Sequence, residues 1–234
     1  MKKLFVANWK RYLTTSESVS LWLELAKVSS EGFDVVVAPN HLALDQIAAH
    51  PGSHMLAAQD AFYETEGAIT GMVSTQDLKE IGVTHVIVGH SERRALARET
   101  DDVIAKKVAA VQAAQLTPIL CVGETKEERD AGKAQDRVRE QVTKGISQAL
   151  MGAALIIAYE PRWAISKGGV GESCHPEDAE RMLSFIKEIK LTPVLYGGSV
   201  KPENITSFVE LESCDGVLVG SASTKLDSLQ AMLS

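Results

Sequence analysis

A carboxylate able to take a proton from carbon stands at Glu160, at the end of the apolar run 153–158 and directly before Pro161. Proline fixes its own φ and keeps the preceding residue out of the helical region, so Glu160 is expected extended at the mouth of a strand. Other polar groups follow short apolar runs in the same way. They are Asn8-Trp9-Lys10, then Gly89-His90 ahead of Ser91-Glu92-Arg93-Arg94, and the turns Gly197-Gly198-Ser199 and Gly220-Ser221. The two glycine-containing turns offer bare backbone N–H groups at points expected to open helices. Such turns bind phosphate through amides and the helix dipole; the plainer reading is that they are tight turns and nothing more. A carboxylate, a cation and an imidazole around a phosphate subsite suit proton abstraction next to a carbonyl.

A glutamate of ordinary pKa, ~4.3, is a weak base toward carbon. A gap of ~10 pKa units costs about 14 kcal/mol, so the resulting enediolate has to be stabilised. Lys10, and a neutral His90 donating its N–H, are the groups placed to do that. A short helix starting at Ser91 disfavours imidazolium at its N-terminus. His41, His50, His54, His85 and His175 have no companion group and are read as structural. There is no HExxH, no paired CxxC and no nucleophile elbow, and Gly168, Gly169 and Gly171 do not complete a dinucleotide fingerprint. Neither a metal nor an organic cofactor is expected. Beyond Glu160, the anchor Trp163 and the loose Ser166-Lys167-Gly168-Gly169-Val170-Gly171 read as a lid with a stiff near hinge and a flexible far one.

These groups are far apart in sequence, so the fold must bring them together. Apolar runs at 4–7, 35–38, 55–58, 86–88, 119–122, 155–158, 194–196 and 217–219 lack the polar alternation of half-wet strands and read as buried parallel ones. Helical spacing lies between most of them: Val19, Trp22, Leu23 and Ala26; Ile104, Val108 and Val111; Ala179, Met182, Leu183 and Ile186. Ser74-Thr75-Gln76-Asp77 reads as a capping box, and Pro176 with Glu177 and Asp178 as a first helical turn. Strands alternating with helices over 234 residues predict a closed (β/α)₈ barrel, a single domain over 1–234. In such a barrel the carboxyl ends of all strands share one rim, where Lys10, His90, Glu160 and the two glycine turns would meet. The aperiodic stretch 59–71 is long enough to be functional or interfacial.

The net charge of −7 argues against a nucleic-acid surface. Cys121, Cys174 and Cys214 form no disulfide framework and point to a reducing compartment. The apolar stretch after Lys3 stops at Asn8, too soon for a secretory leader, and no run is long enough for a membrane span. A cytoplasmic protein is expected.

From Phe5 to the last helix the chain resembles the triosephosphate isomerases. The resemblance is carried in order by Asn8-Trp9-Lys10, Gly89-His90-Ser91-Glu92-Arg93-Arg94, Ala158-Tyr159-Glu160-Pro161 with Trp163-Ala164-Ile165, Tyr196-Gly197-Gly198-Ser199-Val200, and Asp215-Gly216 through Gly220. It implies cofactor-free interconversion of dihydroxyacetone phosphate and glyceraldehyde 3-phosphate, in glycolysis and gluconeogenesis. By the same resemblance Glu160 is the base, His90 and Lys10 the electrophiles, and Asn8 helps Lys10 hold the carbonyl side. Ser166, Ser199, Gly220 and Ser221 would bind substrate, and Glu92 would support the lysine. The resemblance also implies a homodimer in which Thr70 reaches the neighbour's site. A glutamate base beside a neutral histidine is the known pKa tuning of that family, so the pairing comes to the chain with the resemblance and not from its own residues. The chain departs from the family pattern at Arg162, at Ser166-Lys167-Gly168-Gly169, at Met72, at Arg11-Tyr12 and at Ser221. The residues leave two other readings open: another phosphate-binding barrel isomerase or epimerase, and a non-catalytic binding barrel.

Overall fold

The computed structural model describes residues 2–50, 52, 54–64, 67–164 and 174–234. Its strands are β1 (Lys3–Asn8), β2 (Phe33–Ala38), β3 (Met55–Ala58), β4 (His85–Val88), β5 (Thr117–Val122), β6 (Ile156–Tyr159), β7 (Val194–Tyr196) and β8 (Gly216–Val219). Each pairs in parallel with the next, and β8 closes on β1, giving the expected barrel. The helices between them are α1 (Thr15–Leu25), α2 (His41–Ala48), α3 (Thr75–Glu80), α4 (Ser91–Leu96), α5 (Asp101–Ala113), α6 (Lys126–Asp130), α7 (Ala134–Gly145), α8 (Pro176–Ile189), α9 (Ile205–Val209) and α10 (Leu226–Leu233).

The two-residue period of a strand sorts its side chains into two cores. Val6, Val36, Ala57, Ile87, Ile119, Ala158, Leu195 and Leu218 fill the barrel interior. Their neighbours Phe5, Val35, Val86, Leu120, Ile157 and Val217 face the helices, where they meet Trp22, Ile104, Val108, Leu183 and Ile186. Because both faces are covered, the strands read as unbroken apolar runs.

Two local expectations need adjustment. In α1 the buried face is Ser18, Leu21, Trp22 and Leu25, while Leu23 is exposed. The expected stripe through Val19, Leu23 and Ala26 is rotated because turning inward on Leu21 and Leu25 buries two large side chains beside Trp22, against one leucine otherwise. At α3, Ser74 caps the Asp77 amide, but the return bond that makes a capping box is absent. An aspartate is one methylene short of the reach that glutamate has in that role. Reciprocal boxes do form elsewhere, at Thr14 with Glu17 and at Thr125 with Glu128. Strand β6 ends at Tyr159, so Glu160 is the first residue beyond it.

Candidate active site

The chain leaves β1 at Asn8, turns at Trp9, and places Lys10 at φ 48°, in the left-handed region that side chains other than glycine enter at a cost. The buried Asn8 side chain accepts the Lys10 amide through Oδ1 at 3.1 Å, holding that turn. Lys10 Nζ pairs with Glu92 Oε1 at 2.9 Å.

At the end of β4, Gly89 takes φ 70° and delivers His90 as the N-cap of α4. Arg94 holds the turn in place: its guanidinium donates to Gly89 O (2.7 Å), to Cys121 O (3.1 Å) at the end of β5, and to Asp101 (2.5 Å). His90 Nδ1 accepts the Glu92 backbone N–H at 3.2 Å. A ring nitrogen that accepts an amide hydrogen carries none of its own, so the ring's hydrogen sits on Nε2. That nitrogen lies 3.0 Å from Glu160 Oε1.

Glu160 is almost fully buried, and its other oxygen, Oε2, accepts the Ser91 amide at 3.0 Å. Burial pushes its carboxyl pKa up. Attraction to His90 with its hydrogen bond, the Ser91 amide and the Lys10 ammonium outweigh that and hold it below the usual glutamate value. The neighbouring Cys121 thiol is pushed well up, first by burial and then by the Glu160 charge, and stays protonated.

Lys10, His90 and Glu160 line one cavity of about 610 Å³, together with Gly197, Ser199, Gly220 and Ser221. The β8 turn opens directly into a 3₁₀ turn, Ser221–Thr224. The β7 turn does not open a helix at once: α9 begins at Ile205, after a turn in which the Asn204 and Ile205 amides both donate to Lys201 O (3.1 and 3.0 Å). Asn204 accepts the Lys201 amide (2.7 Å) and donates to Ser199 O (2.9 Å), folding the turn on itself. Among the described residues lining this cavity neither Asn8 nor Thr70 appears. Asn8 lies beneath Lys10, and Thr70 is exposed in the loop after β3. Ser166 and the rest of the expected lid lie outside the described residues.

A family model for triosephosphate isomerase matches residues 3–234. The chain belongs to the triosephosphate isomerase family. The triosephosphate isomerase of Carboxydothermus hydrogenoformans is 44% identical over 250 residues, covering 100% of this chain and 98% of that one. That of a Roseiflexus species is 43% identical over 96% of this chain and 94% of its own. The protein of the same name from Gloeobacter violaceus is 37% identical over 100% of this chain and 98% of its own.

Some residues that build this family member's site do not stand out in the sequence. Glu124 is fully buried after β5 and accepts hydrogen bonds from Tyr159 (3.1 Å) and Trp163 Nε1 (2.7 Å). Trp163 is therefore more than an apolar anchor; the Arg129 guanidinium also lies 4.0 Å from its ring centre, and Arg129 pairs with Asp178 in the first turn of α8. Gln59 donates to the backbone oxygens of Lys10 and Ala38. A carboxylate two residues past an apolar run is the one signal the sequence carries for Glu124. Gln59, the first residue of an aperiodic loop, carries none. Arg162 lines a separate polar cleft beside Asp101 and Arg137, outside the main cavity.

Proposed function

We propose that this chain interconverts dihydroxyacetone phosphate and glyceraldehyde 3-phosphate, the triose-phosphate step of glycolysis and gluconeogenesis, with Glu160 as the base. The supporting observation is that a carboxylate, an imidazole N–H and an ammonium line the same cavity as two turns of small residues in a member of this family. The substrate phosphate sits on the backbone amides of the β7 and β8 turns, around Ser199, Gly220 and Ser221; a part for Ser166, which lies outside the described residues, rests on the resemblance alone. Starting from dihydroxyacetone phosphate, Glu160 leaves the donors that hold it, removes a proton from C1 and returns it at C2 while the hydroxyl proton passes from O1 to O2, so one carboxylate serves both carbons. His90 Nε2–H and the Lys10 ammonium, with Asn8 behind it, stabilise the enediolate oxygens. A depressed Glu160 pKa keeps the base ionised at neutral pH, and its weakness toward carbon is offset by those donors.

The assembly is a homodimer in which Thr70 enters the neighbour's site and Glu92 steadies Lys10. Support comes from the resemblance and from Tyr12, Leu42, Met72 and Leu96, exposed side chains that follow β1, β2, β3 and β4 in turn. A reducing cytoplasm suits three buried, unpaired cysteines. No helix of the described residues is long and apolar enough to cross a membrane.

A coupled assay on both triose phosphates tests this reading. Wild type turns over both; Glu160→Asp, which withdraws the carboxylate by about one methylene, loses roughly 100-fold or more in kcat. Lys10→Ala loses kcat/KM on a similar scale. Full activity in either variant removes the mechanism. No activity in folded wild type favours a binding barrel, and turnover of other sugar phosphates alone favours an epimerase.

A further inference from the structure

The Lys10 backbone is left-handed, although Trp9 and Arg11, which flank it, are not turn formers of that kind. Two side chains clamp it. Asn8 Oδ1 takes the Lys10 amide hydrogen at 3.1 Å, and Gln59 Nε2 donates to the Lys10 carbonyl at 2.8 Å. The second hydrogen of the same amide nitrogen goes to Ala38 O at 2.9 Å. Both partners of Gln59 are carbonyl oxygens, so its nitrogen and not its oxygen must face them. Ala38 also receives the Trp9 amide at 3.0 Å and is the partner of Asn8 in the last rung between β1 and β2. The Gln59 amide thus occupies the fork where the two strands part.

Gln59 is itself fixed. It follows β3 directly, and the next residue, Asp60, is held by Lys107 (2.6 and 2.8 Å), by Arg93 (2.7 Å) and by His41 on its carbonyl (2.9 Å). The donor that grips Lys10 is therefore anchored to α4 and α5 and to the loop that carries Thr70. We propose that Gln59 is a positioning residue: by holding the left-handed turn at Lys10 it aims the ammonium into the cavity, and it ties that aim to the seating of the loop after β3. This rests on the reading of Lys10 as an electrophile.

A double-mutant cycle tests it. Gln59→Met keeps length and loses both donated bonds; Lys10→Ala keeps a side chain at the strained position and loses the ammonium. In the wild-type background Gln59→Met lowers kcat/KM at least tenfold. In the Lys10→Ala background, with no ammonium left to aim, it lowers kcat/KM less than twofold. The dissociation constant of 2-phosphoglycolate, whose carboxylate imitates enediolate charge, follows the same pattern and keeps the cycle readable where turnover is too slow. Equal factors in both backgrounds mean that Gln59 only supports the fold, and the proposal fails. Lys10→Ala with wild-type activity overturns the electrophile reading instead, so the two failures are distinguishable. If Gln59→Met does not fold, Gln59→Asn, one methylene too short to reach both carbonyls, replaces it in the same cycle and is judged by the same two factors.

Discussion

Glu160 has both carboxylate oxygens engaged, one by the His90 ring and one by the Ser91 amide, and that occupancy sets what each neighbour has to do. The donors keep the carboxylate ionised, yet in the proposed mechanism one of them must be released before a C–H bond can be approached. Its backbone is tightly fixed as well. A Cβ on Gly123 would lie 1.9 Å from the Glu160 carbonyl oxygen, and the Gly123 amide is itself bound to the buried Gln141 at 2.7 Å. Gly123→Ala is therefore expected to shift the Glu160 backbone rather than fill empty space. The outcome is a kcat reduced roughly 100-fold with the protein still folded. A steady-state assay beside a thermal melt checks it, and unchanged kcat would show that the proposed base tolerates displacement.

The elements explain why much of the site is legible in the sequence and some is not. Strands buried on both faces write themselves as apolar runs, so the endpoints carrying Lys10, His90 and Glu160 can be placed to within a residue or two. The phase of α1 is not legible, because Trp22 belongs to either stripe and only packing against the barrel chooses Leu21 and Leu25. Glu124 and Gln59 act on partners tens of residues away, which no local spacing reveals. His85, opening β4, is buried with Nδ1 2.8 Å from Thr84 Oγ1. Burial pushes its imidazole pKa from 6.5 down to about 4. The unfolded chain binds the proton first, so this contribution to stability is complete above pH 6.5 and declines as pH falls toward 4. That interval is worth about 3 kcal/mol at roughly 1.4 kcal/mol per pH unit. Urea unfolding at pH 7 and pH 4.5 should give a stability difference that shrinks by about 2 kcal/mol or more in His85→Gln. An identical difference in both proteins would mean that folding leaves the ring's affinity for the proton unchanged.

For the molecule as a whole, the barrel brings its reactive groups to one rim, and exposed apolar side chains follow β1 to β4 in turn, so in the proposed dimer assembly and chemistry are expected to stand or fall together. Replacing both Met72 and Leu96 with lysine places charges where the proposed dimer face is apolar. Sedimentation at micromolar concentration should find a dimer for wild type and a monomer for the double variant, with isomerase activity lost in parallel as Thr70 withdraws. A monomeric, fully active wild type would end the dimer reading. Trp163 has a different consequence. Its indole lies under a guanidinium and donates to a carboxylate, whereas Trp9 and Trp22 are enclosed in the core. Excitation of this protein therefore yields a nearly constant emission from two tryptophans and a variable one from the third. Any rearrangement of the backbone around Pro161 and Ala164 would register as a colour change, without a dye attached.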